Sequence, residues 1–286
     1  MRLGLASPRA PGERRSVNVA YGLLAWIAGL VFFFPVFWMV LNSFKSEQDA
    51  NTAPKLFFHP TFGRYHDVTH SSVGLLSFGQ AFANSLIVVA VSTLIVLVMA
   101  IPAAYALSIR PIPRWRDVLV FFISTKFLPV VAAILPIWII AKNLNLLNSE
   151  LALIILYSGL NLPLAVWMLR SFFAEVPKEL IEAAEIDGAG LRGQLMSVVV
   201  PIAGPGIAAT ALLCIIFAWN EFFYAVQLNP VSSSTVPVWV TTFVSTRGAF
   251  LAKLSAASVL ACIPVVLAGW IAQKRLIRGL ALGAIK

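Results

Sequence analysis

Four places in the sequence hold side chains whose types and spacing allow chemistry. The first is PKELIEAAEIDGAGLRGQLMSVVVP, Pro177 to Pro201. With Glu175 just before it, this stretch gathers Glu179, Glu182, Glu185 and Asp187, five of the twelve acidic residues of the chain. Glu179, Glu182 and Glu185 fall at i, i+3 and i+6 beside a stripe of Leu180, Ala183 and Ala184, so a helix there shows an apolar ridge with an acidic flank. A helix lying on an anionic leaflet would carry Lys and Arg in place of those acids. The pattern suits a protein partner that offers a groove and basic residues, with a merely structural turn as the alternative. The second place is His66, Asp67 and His70, an i, i+4 pair with no further ligand, so no metal site is expected. The third is Lys126 and Glu221, ionisable groups inside apolar runs. Lys126 either snorkels or lines a pathway, and Glu221 reads as a structural or gate group. On straight helices rising about 1.5 Å per residue the two would differ by roughly 15 Å in depth, too far for an ion pair. The fourth is a scattered polar set, Asn161, Tyr157, Ser158, Trp138 and Asn220, able to hydrogen-bond a hydroxylated ligand.

Other chemistry is excluded. A phosphate-cradling G-x4-GK[ST] loop is absent, since none of the eight lysines follows a glycine, and no Ser/His/Asp arrangement suggests hydrolysis. Cys214 and Cys262 lie in apolar runs and carry neither metal spacing nor a disulfide framework. No catalytic residue, metal or bound cofactor is therefore expected in this chain.

The elements that must position these groups are helices in lipid. Of 286 residues, 59% are hydrophobic and 12% charged, too apolar for a soluble domain. Six segments reach the roughly 20 residues a bilayer requires: Val17–Leu41, Phe82–Leu107, Asp117–Lys142, Leu151–Arg170, Ile202–Val226 and Leu254–Gln273. They are too long for barrel strands and lack their alternation. The first follows Arg9, Arg14 and Arg15 like a secretory signal, but its run is long and no small-x-small site follows, so it reads as a retained span. With the N-terminus inside, fourteen of the 21 Lys and Arg face the cytoplasm: Arg2, Arg9, Arg14, Arg15, Arg110, Arg114, Arg116, Arg170, Lys178, Arg192, Lys274, Arg275, Arg278 and Lys286. Six lie outside, so both termini and the acidic loop are placed in the cytoplasm. The net charge of +9 then reflects topology and anionic lipid, not nucleic acid.

Along the chain we expect a tail over 1–16, a six-span domain over 17–276 with the acidic loop at 175–201, and a cytoplasmic tail over 277–286. Asn42–Ala81 reads as an irregular outer loop with one short helix. Pro129 and Pro136 in span three, and Asn161 with Pro163 in span four, mark interruptions that free backbone carbonyls. In the acidic loop, Pro177 opens one helix, and Gly188 and Gly190 break it. A second helix sets Leu191, Leu195, Val198 and Val199 against Arg192, Gln194 and Ser197, and Pro201 begins span five.

Glu182-Ala183-Ala184, then Gly188 four positions on, and Pro201, resemble the coupling loop of ATP-binding-cassette importer permeases, and Asp187-Gly188-Ala189 resembles their carbohydrate branch. NSLIVVA and PAAYALS in span two, WNEFF at the end of span five and RGLALGAIK at the C-terminus extend the likeness. STKFLPVVAAILPIW, NLPLAVWML and FLAKLSAASVLACIP are similar to the sorbitol and mannitol permeases of that family. The resemblance implies an all-α, type I importer permease fold in a bacterial inner membrane, with Glu182, Ala183, Ala184, Asp187, Gly188 and Pro201 contacting the ATPase. It implies a second homologous permease, a dimer of ATPases that binds ATP and magnesium, and an extracytoplasmic substrate-binding protein. It also implies that the tail Gly279–Lys286 reaches the ATPases. The alternative is an ion-coupled secondary transporter, which would favour an inverted repeat and a paired intramembrane carboxylate. A membrane-embedded enzyme would need clustered His, Asp and Glu within the spans.

Overall fold

The computed structural model describes residues 11–52, 54–70, 76–110, 112–245 and 248–283. These are helical apart from loops and one two-residue antiparallel ladder, Val244–Ser245 against Gly248–Ala249. Four helices are long and apolar enough to cross a bilayer: Tyr21–Ser43, Phe78–Ser108, Glu150–Phe173 and Leu251–Ile271. Two bent pairs complete six spans if each pair is one: Trp115–Phe127 with Val130–Asn143, at 90°, and Leu191–Ile202 with Gly204–Trp219, at 79°. The all-α expectation thus stands, with four to six candidate spans, six where each bent pair is one span. The ends of the chain, Met1–Ala10 and Ala284–Lys286, lie outside the described residues, so most of the N-terminal tail and the tip of the C-terminal tail do too.

Each break follows from local chemistry. In span three Leu128 precedes a proline, which pushes it to extended backbone (ψ 123°), and Pro129 is extended too (ψ 122°). Two extended residues in a row turn the helix. Span five bends at Ala203, just ahead of Gly204-Pro205, and ends at Trp219 instead of running to Val226. Asn220, Glu221 and Phe222 leave the helix, and a separate short one runs from Phe223 to Leu228. Span four is unlike the expectation: its helix continues through Pro163. The missing proline N–H frees only the carbonyl of the residue four back, Gly159, and neighbouring turns hold the helix. The outer loop contains two short helices, Glu47–Asn51 and Gly63–His70, where one was expected.

Capping fixes where spans begin. Ser77 and Gln80 form a capping box at span two, and the Ser149 hydroxyl accepts from the Leu151 N–H at span four. The Glu47 carboxylate accepts from the backbone N–H groups of Ala252 and Lys253, at 3.2 and 2.9 Å, and so ties the outer loop to the start of span six.

Spans two and four share the most extensive contact, spans five and six pack together, and span one lies against span six. Two apolar cores result. One surrounds Val88, Leu153, Trp219, Leu228 and Trp239; the other surrounds Val96, Ala104, Val166, Phe173, Ile181 and Val199, next to the acidic loop. The candidate polar side chains sit between and around these cores.

Candidate functional site

The break in span three, the middle of span four and the end of span five enclose a cavity of about 570 Å³. Thr125, Lys126, Tyr157, Asn161, Glu221 and Tyr224 supply its polar lining, with Leu160, Phe217 and Phe223 among the apolar walls. Three of the six pathway candidates, Tyr157, Asn161 and Lys126, therefore meet at one place. Asn161 is only 4% exposed.

Glu221 shares this lining with Lys126, and among the described residues the two form no ion pair. The 90° break in span three lies just beyond Lys126, at Leu128 and Pro129. The Glu221 carboxylate is committed to local structure. It accepts from the Tyr224 N–H at 2.9 Å, the Ala225 N–H at 3.2 Å and the Tyr157 hydroxyl at 2.8 Å. It thus caps the Phe223–Leu228 helix and holds Tyr157 across to span four, as a structural group would. Its place three residues before Tyr224 at a helix start is a capping signal that sequence reading had available.

The other three candidates lie elsewhere. Ser158 is buried, donates to the Ile154 carbonyl at 2.7 Å and touches the Ser92 carbonyl at 3.4 Å, so it joins span four to span two. Trp138 packs on the core around Trp219, with Lys142 Nζ 5.2 Å from its ring. Asn220 donates to the Ile216 carbonyl and borders a separate cleft with Pro237 and Cys262. His66 and His70 stack at 4.2 Å, with the Thr69 hydroxyl against His70 Nδ1, and no group of three metal ligands occurs among the described residues.

The acidic loop is built as two helices around one left-handed residue. The first runs from Lys178 to Ile186 after Pro177, and Ile181 anchors it in the core beside Val176 and Val199. Leu180, Ala183 and Ile186 point outward as the ridge; Ile186 is 87% exposed. Glu179, Glu182 and Asp187 are exposed beside them, and Ala184 is half-buried. Gly188 has φ +81° and ends the helix, while its neighbour Gly190 (φ −68°) does not take the left-handed form expected of it. Pro201 is exposed and sits just before the 79° bend.

Two contacts within the loop were not anticipated. Glu185 pairs with Arg110, which follows span two, so one of the five acids is neutralised within the chain. Gln194, grouped with Arg192 and Ser197 on the polar side of the second helix, is 2% exposed. Its side chain accepts from the Tyr105 hydroxyl at 2.7 Å and donates to the Ala189 carbonyl at 2.9 Å. Leu191, grouped with Leu195, Val198 and Val199 on the apolar side, is 62% exposed. A π-helical turn over Gln194–Val199 explains the exchange, because its wider winding rotates the register away from the 3.6-residue pattern. Arg192 and Ser197 remain exposed, and Val199 is buried, as expected.

Comparison with known proteins agrees with this architecture. Residues 97–280 match the family described as binding-protein-dependent transport system inner membrane component. The chain is 33% identical over 257 residues to the sulfoquinovosyl glycerol transport system permease protein SmoH of Agrobacterium fabrum, covering 88% of each chain. It is 31% identical over 261 residues to the diacetylchitobiose uptake system permease protein DasC of Streptomyces coelicolor, covering 90% of this chain and 92% of that one. Its fold matches, with a TM-score of 0.74 and 24% identity, a chain in the crystal structure of a bacterial ABC transporter involved in the import of the acidic polysaccharide alginate, covering 94% of this chain and 99% of that one. The fold is that of an ABC importer permease, and the ion-coupled alternative finds no support among these matches. A multi-pass membrane protein whose role is transport, with ATP hydrolysis left to a separate subunit, the chain belongs to the family of inner membrane components of binding-protein-dependent transport systems.

Proposed function

We propose that this chain is one permease half of an ATP-driven carbohydrate importer, and that it couples to a separate ATPase dimer through the loop 175–201. The observation that carries the coupling role is the Lys178–Ile186 helix. Ile181 and the Glu185–Arg110 pair hold it to the bundle, while Leu180, Ala183, Ile186, Glu179 and Glu182 stay exposed. A ridge of that kind has little to gain from water and matches a grooved, basic partner. The positive-inside bias puts this loop and both tails in the cytoplasm. The second permease would complete the cavity around Tyr157 and Asn161, and an extracytoplasmic binding protein would deliver the solute. ATP and magnesium would be held by the ATPases, so this chain needs no cofactor. The test is uptake by the complete complex in proteoliposomes: accumulation should require ATP inside and receptor outside, and accumulation driven by an ion gradient alone would refute the reading.

A carbohydrate substrate is supported by the relatives named for sulfoquinovosyl glycerol and diacetylchitobiose transport. The narrower reading is an acyclic sugar alcohol, supported by the likeness of spans three, four and six to polyol permeases. An acyclic polyol offers hydroxyls along its length, and the cavity lining offers the Asn161 amide and the Thr125, Tyr157 and Tyr224 hydroxyls to receive them. Asn161 is the most informative position. A hydrogen bond contributes a net ~0.5–1.5 kcal/mol, so Asn161→Leu should lower polyol uptake about two- to tenfold. The complex should still assemble and hydrolyse ATP. Normal transport by that variant would make Asn161 a packing residue.

The C-terminal tail, Gly279–Lys286, is proposed to meet the ATPases as well, on its small residues and cytoplasmic placement. Deleting Leu282–Lys286 should reduce recovery of the ATPase in a pull-down by the permease, and unchanged recovery and transport would count against the contact.

A further inference from the structure

Lys126 has a place in the fold that the proposed neutral substrate does not account for. It lines the cavity together with Asn161, which lies midway along the Glu150–Phe173 span, and this chain by itself leaves Lys126 exposed there. A cation within a membrane span is costly unless something answers its charge. Among the described residues the only carboxylate in the lining is Glu221. Its oxygens already accept from two backbone N–H groups and the Tyr157 hydroxyl, and it forms no ion pair with Lys126. Along with the lysine, the buried Asn161 side chain lines the cavity. Two donors, one of them charged, thus face a cavity in which the one anion is already engaged.

We infer that Lys126 is a specificity residue for an anionic carbohydrate, an acyclic polyhydroxy chain ending in an acid group that its ammonium receives. Asn161 takes a neighbouring hydroxyl. This rests on the carbohydrate reading of the same cavity and adds the charge of the substrate to it. Lys126 lies at the break in span three, where the helix gives way to extended backbone at Leu128 and Pro129.

Gluconate and glucitol differ only in a terminal carboxylate against a terminal CH₂OH, and they separate the charge effect from the polyol chain. Their binding should be measured on the complete transporter, both permeases with the ATPases, in nanodiscs. A charge-assisted hydrogen bond contributes ~1.5–3 kcal/mol, so wild-type should prefer gluconate by about tenfold or more. Lys126→Met should erase that preference and leave glucitol binding within about twofold, while Lys126→Arg should keep it. Equal binding of the two ligands by wild-type would overturn the inference and leave the carbohydrate reading standing. So would a Lys126→Met complex that fails to assemble when wild-type shows no preference, since the lysine would then answer a carboxylate of the second permease. Absence of binding by both ligands, with no ATP-driven uptake of either, would overturn the acyclic-carbohydrate reading itself.

Discussion

Gly188→Leu should lower ATP-driven uptake by more than tenfold while the membrane bundle stays folded. Gly188 has φ +81°, and a side chain in the left-handed region costs roughly 1–2 kcal/mol. Nothing lies within 4 Å of where its Cβ would be, so the penalty is one of backbone conformation and not of crowding. The chain relieves it by opening the turn. That turn holds the Ala189 carbonyl where Gln194 Nε2 reaches it, and Gln194 in turn accepts from Tyr105 of span two. Relaxing the glycine therefore tilts the Lys178–Ile186 helix against its anchor and loosens its link to span two. Glu182→Lys tests the same interface from its outer side. Glu182 is exposed and has no ion-pair partner among the described residues, so reversing its charge leaves the fold intact and repels a basic partner. ATPase recovered with the permease should fall about tenfold for Glu182→Lys. For Gly188→Leu, hydrolysis should lose its response to substrate-loaded receptor. Wild-type uptake and stimulated hydrolysis by both variants would show that the loop does not couple.

The helices were legible because lipid simplifies the code: a long apolar run has few ways to satisfy its backbone other than a helix. Pro129 was visible as an interruption, but its effect was not. A proline inside a helix can leave it continuous, as Pro163 does, or end it, as Pro129 does after an extended Leu128. What separates the two is the tertiary packing on either side, which no local window contains. The cavity was half legible for the same reason. Tyr157 and Asn161 share a helix, one turn apart, and could be grouped from spacing alone. Lys126 and Glu221 line the same cavity from two other spans, a grouping that spacing within one helix cannot show. In the acidic loop the Gly188 cap was readable from residue type, whereas the π turn that buries Gln194 was not, because nothing in QLMSVV departs from an ordinary helix pattern. Arg110 counted only as a topogenic charge until the fold set it against Glu185.

Gly206→Val should abolish recovery of the assembled transporter, although Gly206 touches neither the cavity nor the loop. Span five crosses span four there at short range. A Cβ on Gly206 would meet the Phe172 ring well inside contact distance, with Cδ2 at 2.6 Å and Cδ1 at 2.7 Å, and the ring's attachment carbon, Cγ, is its nearest neighbour. The position of Cγ is set by χ1 alone, so the ring cannot move aside without changing a rotamer that the helix already restricts. The alternative is separation of the two helices. That would open the core around Val166, Phe173, Val199 and Cys214, just above the anchor of the acidic loop. Overpacking of a tight core costs about 1–3 kcal/mol, and the branched valine lies at the upper end of that range. Gly206→Ala, with the same Cβ but no branches, should lower the melting temperature of the detergent-solubilised complex and still allow assembly. If the clash is with Phe172, then Phe172→Ala should restore yield to the Gly206→Val chain, even though alone it leaves a void of its own. Yield of monodisperse complex by size-exclusion chromatography measures all three. A Gly206→Val complex with wild-type yield and melting temperature would mean that spans four and five separate at no cost. A yield that Phe172→Ala fails to restore would place the clash elsewhere along span five.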